Sequence, residues 1–238
     1  DKRVRQALAY AINRKGIVDK LLEGHGKVLN TALTLSSWAY PTDLNTYDYS
    51  ADKAKTLLKE AGWTLSGDVL TKGGEPFKVT ILVPIGNKVR EQSAPVIQQN
   101  LKAVGIDATL VNLDFASLKA KVSDQHDYEL ALMGFSLEVD PADAKTYWHS
   151  SIANKPGFNL ANFKNPASDK LLDEGAQSLD VKSRQAVYQK WGKLINDEEP
   201  FVFLYSANEG RAFTPKLQGY NFSTYVEFPN IQNWTLAK

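Results

Sequence analysis

Two carboxylates dominate the chemistry that this sequence could perform. Glu138 and Asp140 lie in the run GFSLEVDP, with Phe135 just before them and Tyr147, Trp148 and His149 just after. Carboxylates set among aromatic rings suit two tasks. One is acid/base work by the pair, which would make a small-molecule hydrolase. The other is a ligand-facing lip, built where a buried strand ends and carboxylates are exposed between aromatic rings. No nucleophile–base set and no oxyanion signature accompanies the pair, so the hydrolase is the weaker reading and no catalytic residue is assigned. Asp140 also has a plain structural use, because a carboxylate directly before Pro141 can cap a helix whose first residue is proline.

Other chemistries find little support. There is no cysteine, which excludes disulfides, thiolate metal sites and thiol nucleophiles. His25, His126 and His149 form neither an HxxxH nor an HxH pair, so no metal site is expected. GxGxxG and GxxxxGK[ST] are both missing, which argues against a nucleotide, and no cofactor is expected. A net charge of +1 predicts no nucleic-acid partner and no anionic membrane surface.

The elements that must position these residues can be read from periodicity. Val4, Leu8, Ala11 and Ile12 recur at helical spacing and predict a helix over 2–13, with a second helical stretch ending near Gly24. Ala51–Ala61 reads as a short amphipathic helix, capped by Ser50 or Asp48 and closed by Gly62. Trp63 then packs back on the core. Val69-Leu70 and Phe77–Val83 read as a hairpin around a Gly73-Gly74 turn. A helix over 89–104 contains Pro95, which implies a kink or a late start. Strands are expected over 106–113 and 128–133, with Asp114 capping a helix over 115–122 between them. Two helices, over 167–179 and 183–198, precede a fully buried strand, Phe201–Tyr205. The alternation of strand and helix predicts an α/β layer with helices crossing over a sheet. The chain opens on helix without a Met or a signal peptide, as expected of a piece of a longer protein.

Several segments resemble one family in the family's own order. DKRVRQALAYAINRKGIV looks like the helix that opens the C-terminal lobe of bacterial extracellular solute-binding proteins of oligopeptide and dipeptide ABC transporters. TYDYSADKAKTLLKEAGW, GFSLEVDP with YWHSS, FNLANFKNPASDKLLDEG and EEPFVFLY continue the likeness across nearly the whole chain. The resemblance implies a periplasmic-binding-protein-like lobe, a mixed sheet flanked by helices, belonging to a type II two-lobed receptor. Residues 1–206 would be the C-terminal ligand-binding lobe. Residues 207–238 would be a returning segment that completes an absent N-terminal lobe, and so would be under-packed or re-docked here. The implied function is capture of peptides between lobes, for delivery to an ABC transporter permease outside the cytoplasm. The parent protein would carry a lipid anchor in some bacteria, and this piece would be a monomer. The same fold also serves sugars, metal chelates and sensors.

What the resemblance implies for the site rests on the same segments. Relatives pair a carboxylate with the ammonium of the peptide. Many read Gly-Trp-x-Ala-Asp-Tyr-x-Asp-Pro where this chain, one residue shorter, has Phe135 in place of Trp. Counting from Phe135 puts Glu138 at the ammonium position; counting back from Pro141 makes Asp140 the structural acid. Both are candidates. Phe135 and Trp148 are candidate pocket walls, and Asn159 and Asn162 candidate partners for a peptide backbone. Tyr205 is a candidate contact at the hinge, and Trp38, with Tyr40, a candidate lining of the cleft. The alternatives are core packing for the aromatic residues and turn formation for the asparagines.

Overall fold

The apolar run in FKVTILVP becomes β5 (Lys78–Pro84), the middle strand of a parallel sheet. The computed structural model describes residues 1–137, 140–223 and 226–237. β6 (Asp107–Leu113) pairs along β5 from Lys78↔Asp107 to Pro84↔Leu113, and β7 (Leu130–Ala131) flanks its other side. α4 (Lys88–Ala103) connects β5 to β6. Asn87 starts it by accepting the Arg90 backbone N–H at 3.1 Å. Its buried face, Ala94, Ile97 and Leu101, packs with Ile81, Val83 and Ile106. Each buried leucine or isoleucine there contributes about 1.5–3 kcal/mol of transfer free energy.

α1 (Lys2–Ala11), α2 (Arg14–Leu21) and α3 (Ala51–Glu60) add Ala7, Ile17 and Leu58 to the same core. Ser50 caps α3, and Trp63 stacks on Phe77 with centroids 4.2 Å apart. A second core forms where α6 (Lys145–Trp148), α7 (Pro166–Gln177) and α8 (Val181–Glu198) gather Trp148, Leu172, Tyr188, Trp191 and Ile195. α7 approaches α8 at Gly175, where a Cβ would lie 2.5 Å from Tyr188 Cζ, so only glycine permits that contact. Asp114 caps α5 (Phe115–Lys119), which widens into a π-helical turn over Ala120–Gln125.

The rest of the pairing is antiparallel and lies in separate small sheets. β1 (Gly26–Lys27) pairs with β8 (Ser206–Ala207). β2 (Thr64–Ser66), β3 (Val69–Lys72) and β4 (Glu75–Pro76) form a meander. The chain falls into two units, Asp1–Ala207 and Asn208–Lys238. Within the second, β9 (Leu217–Gln218) pairs with β10 (Thr235–Leu236), and Tyr220 stands between Phe213 and Trp234. That unit exposes Phe222, Phe228 and Leu236.

Three expectations are corrected. The hairpin does not join Val69-Leu70 to the whole of Phe77–Val83. Phe77 is the crossing point: its N–H donates to the Leu70 carbonyl at 2.7 Å, while its carbonyl accepts from Asp107 at 3.0 Å. Beyond it the chain belongs to the parallel sheet. Phe201–Tyr205 is not a strand. Its Phe203 carbonyl accepts from the buried Arg14 guanidinium at 2.8 Å, so a side chain replaces a sheet ladder. Only Phe203 of that run is fully buried. The strand over 128–133 shrinks to Leu130–Ala131, which pairs with β5 at Ile81↔Leu130 and Leu82↔Ala131.

Candidate functional site

In open α/β sheets, ligands bind beyond the carboxyl ends of the parallel strands. Here that edge holds the end of β5, the first turn of α4 and the chain leaving β7. The chain leaves β7 through Leu132, whose N–H bonds the Leu82 carbonyl at 2.9 Å, and then reaches Gly134 and Phe135. Arg90 lies over Gly134: a Cβ there would run into its Nη2, with Cζ at 3.2 Å. The small glycine lets the guanidinium lie directly over the backbone there. The charge of Arg90 also acts on Tyr205, whose phenol burial pushes up and Arg90 pulls back. Among the described residues the Arg90 side chain has no carboxylate partner. The edge thus presents one half-buried cation over Gly134, close enough to Tyr205 for its charge to act on the phenol, with Phe135 following that glycine in the chain.

Phe135 is half-buried, stacked on Phe201 at 5.5 Å and edge-on to Tyr147 at 5.4 Å. It and Tyr205 are the predicted site residues that the structure brings to this edge. Glu138 lies outside the described residues. Arg90 was missed by sequence reasoning. A signal existed: a cation in the first turn of a helix opposes the helix dipole, and this one comes directly after the carboxyl end of the strongest strand.

Asp140 is engaged elsewhere. Its Oδ1 accepts the Ala142 N–H at 2.9 Å, capping the short 3-10 helix Pro141–Ala144, and it ion-pairs with Arg184 of α8. Partial burial alone would raise its pKa; the Arg184 guanidinium and the capped N–H outweigh that and hold the carboxyl below the ordinary aspartate range. Arg184 also covers the ring of Trp38 at 5.5 Å, and the Trp38 carbonyl accepts from Gln185. Trp38 is thereby docked on α8 and does not join Arg90 or Phe135. The recess between residues 32–37 and Asp140 measures about 10 Å³, room for a single water. A wider open groove of about 350 Å³ lies between α1 and α3, beside Tyr10 and Lys53, away from the sheet edge.

Two more candidates are used up by the fold. Trp148 is 3 % exposed, ringed by Phe163, Trp191, Phe201 and Phe203, so it is core and not a pocket wall. Asn159 is 1 % exposed; its amide donates to the Phe163 and His149 carbonyls and accepts from the Phe163 N–H. No polar atom of it is left for a peptide backbone. Asn162 takes a left-handed backbone, φ 49°, and accepts the Asn154 N–H at 2.6 Å, a turn role. A Ser151–His149–Asp173 line exists, with Ser151 Oγ 2.7 Å from His149 Nδ1 and Asp173 Oδ2 3.6 Å from Nε2. It is a cap and not a catalytic relay. The same Nδ1 accepts the Ser151 N–H, and Asp173 is held by Lys145 at 2.6 Å.

Comparison with known proteins gives one consistent answer. The family model described as bacterial extracellular solute-binding proteins, family 5 middle, matches residues 1–157. The oligopeptide-binding protein AppA of Bacillus subtilis is 36 % identical over 243 residues, taking in 100 % of this chain and 44 % of AppA. The structure of AppA in complex with a nonapeptide superposes with a TM-score of 0.89 at 34 % identity, over 100 % of this chain and 48 % of AppA. DppA of Helicobacter pylori in complex with the peptide STSA gives 0.80 at 26 % identity, over 100 % of this chain and 44 % of DppA. The chain spans less than half the length of these relatives. Its α/β fold is that of the type II periplasmic binding proteins.

Proposed function

The chain belongs to family 5 of the bacterial extracellular solute-binding proteins, and on that premise we propose that it forms one wall of a cleft that captures peptides for an ABC transporter. The observation that carries the reading is the placement of Arg90 over Gly134, at the carboxyl edge of the parallel sheet and next to Tyr205. A half-buried guanidinium suits a carboxylate, such as the terminus or an acidic side chain of a peptide. Phe135 and Tyr205 supply the apolar flank. With Asp140 engaged as a cap, Glu138 is the carboxylate we assign to a ligand ammonium.

Capture by lobe closure needs a second wall, so this chain alone holds ligand weakly. Delivery to a permease, a location outside the cytoplasm and a monomeric state belong to the same proposal. AppA, at 36 % identity, favours peptides over the nickel and heme named for relatives at 27 % and 23 % identity.

Titration of the labelled chain with trialanine, monitored by amide NMR, tests the site. Shifts are expected at Arg90, Gly134, Phe135, Ser136 and Tyr205, with a midpoint of about 1 mM or weaker, about −4 kcal/mol. The C-terminal amide of trialanine, and the variant Arg90→Ala with trialanine, should each bind about tenfold less well, the loss of one charge-assisted bond. Shifts centred elsewhere, or micromolar binding by this chain alone, would overturn the proposal.

A further inference from the structure

Among the described residues Glu199 is the most deeply buried carboxylate, at 0 % exposure, and neither of its oxygens has a hydrogen-bond partner. It ends α8 with a left-handed backbone, φ 44° and ψ 56°, and its N–H still closes the helix on the Ile195 carbonyl. A left-handed glutamate costs free energy that glycine would avoid, so the turn and the burial are imposed by the surrounding fold.

The charged neighbours of Glu199 are held by other partners. Arg14, from α2, gives Nη1 to the Leu29 and Phe203 carbonyls and Nη2 to those of Thr46 and Tyr47. Arg5, from α1, gives Nε and Nη2 to the Glu198 carbonyl and pairs with the Glu198 carboxylate. The Tyr47 hydroxyl donates to the Asn196 carbonyl at 2.8 Å. Lys2 takes Asp197. Asp48 and Tyr40 act on Arg14 and not directly on Glu199. A carboxylate in this place would have cations close by and no hydrogen bonds from them, the arrangement that favours the neutral acid.

We propose that Glu199 is a proton-binding site, uncharged in the folded chain near neutral pH, whose ionisation pulls Arg14 from the Phe203 carbonyl and so resets the segment 201–205. Arg14 is the shared element. It can hold Phe203, or it can turn to an ionised Glu199, and the first choice is the one observed. The segment it releases ends in Tyr205, beside Arg90, so the proton at Glu199 reaches the candidate site through one guanidinium. Burial pushes the Glu199 carboxyl up from 4.5 to about 8, against the pull of Arg14, the nearby Phe203 backbone N–H and Arg5.

The linkage has a definite sign. Above pH 4.5 an unfolded Glu199 gives up its proton, whereas the folded chain keeps it until about pH 8. Stability carried by the proton is therefore complete below 4.5, falls about tenfold in folding constant per pH unit, and levels off above about 8. Denaturation of the wild type and of Glu199→Gln at a series of pH values tests this. From about pH 5.5 to about pH 7.5 the ratio of wild-type to variant folding constants should drop about 100-fold. Parallel profiles would overturn the proposal. If the glutamine variant does not fold, carboxyl carbon NMR of the wild type decides. One glutamate should titrate with a midpoint near 8, and the amides of Phe203 and Leu204 should move with it. Titration of every glutamate below about pH 6, or amides that ignore that midpoint, would overturn it.

Discussion

The two halves of the segment from Leu130 to Phe163 use similar residues in opposite ways. The first half, up to Leu137, leaves a strand, passes under Arg90 at Gly134 and turns Phe135 half outward. The second half, from Asp140, turns three of its polar side chains on its own backbone. Asp140 caps Ala142, His149 accepts from Ser151, and Asn159 takes both sides of Phe163. Its aromatic residues differ in the same way. Trp148 is packed among four rings, whereas Phe135 keeps part of its face open. Residue type does not separate the halves. The second half starts short helices and tight turns, which leave N–H groups seeking acceptors, and nearby Asp, Asn and His side chains satisfy them. The first half leaves a strand whose backbone is already paired.

Trp148→Ala breaks the comparison most strongly. It empties the second core and should cost about 3–5 kcal/mol, measured by urea denaturation. A loss below about 1 kcal/mol would mean that the ring is not core at all. Next comes Asn159→Ala, which leaves the buried Phe163 N–H without an acceptor and should cost about 1–3 kcal/mol. Asn162→Ala, on a half-buried turn, should cost visibly less in the same assay. Asp140→Ala comes last, at about 1 kcal/mol, since its side chain is 54 % exposed and its pair with Arg184 is screened. Its pH dependence sharpens the contrast. The folded pKa is depressed, so the stabilisation is present above the unfolded value of 3.8 and disappears as pH falls through the folded one. A difference between wild type and Asp140→Ala that persists unchanged to about pH 2 would show that the carboxylate form is not what the cap uses.

Much of the frame was legible in the chain. FKVTILV became β5, IDATLVNL became β6, and Ser50, Asp114 and Asp140 each capped the helix next to them in the chain. These are local signals: an apolar run, an alternation, an oxygen placed before a helix. Phe201–Tyr205 misled, because five apolar residues look alike whether they join a ladder or lie on a guanidinium. Trp148 and Asn159 stood out for their chemistry, but their partners, Trp191 and Phe163 among them, are selected by folding.

The sequence by itself determined the α/β alternation, the helix starts and the family to which the chain belongs. It also placed two carboxylates between aromatic residues. Only the tertiary structure decided that Asp140 faces α8, that Arg90 stands over Gly134, and that Glu199 is buried while its cationic neighbours are held by other groups. The physical reason is the range of each interaction. Periodicity and capping act within a few residues along the chain. Whether a polar atom is satisfied depends on groups brought from far away: Arg14 and Phe203 are 189 residues apart, and Asp140 and Arg184 are 44 apart.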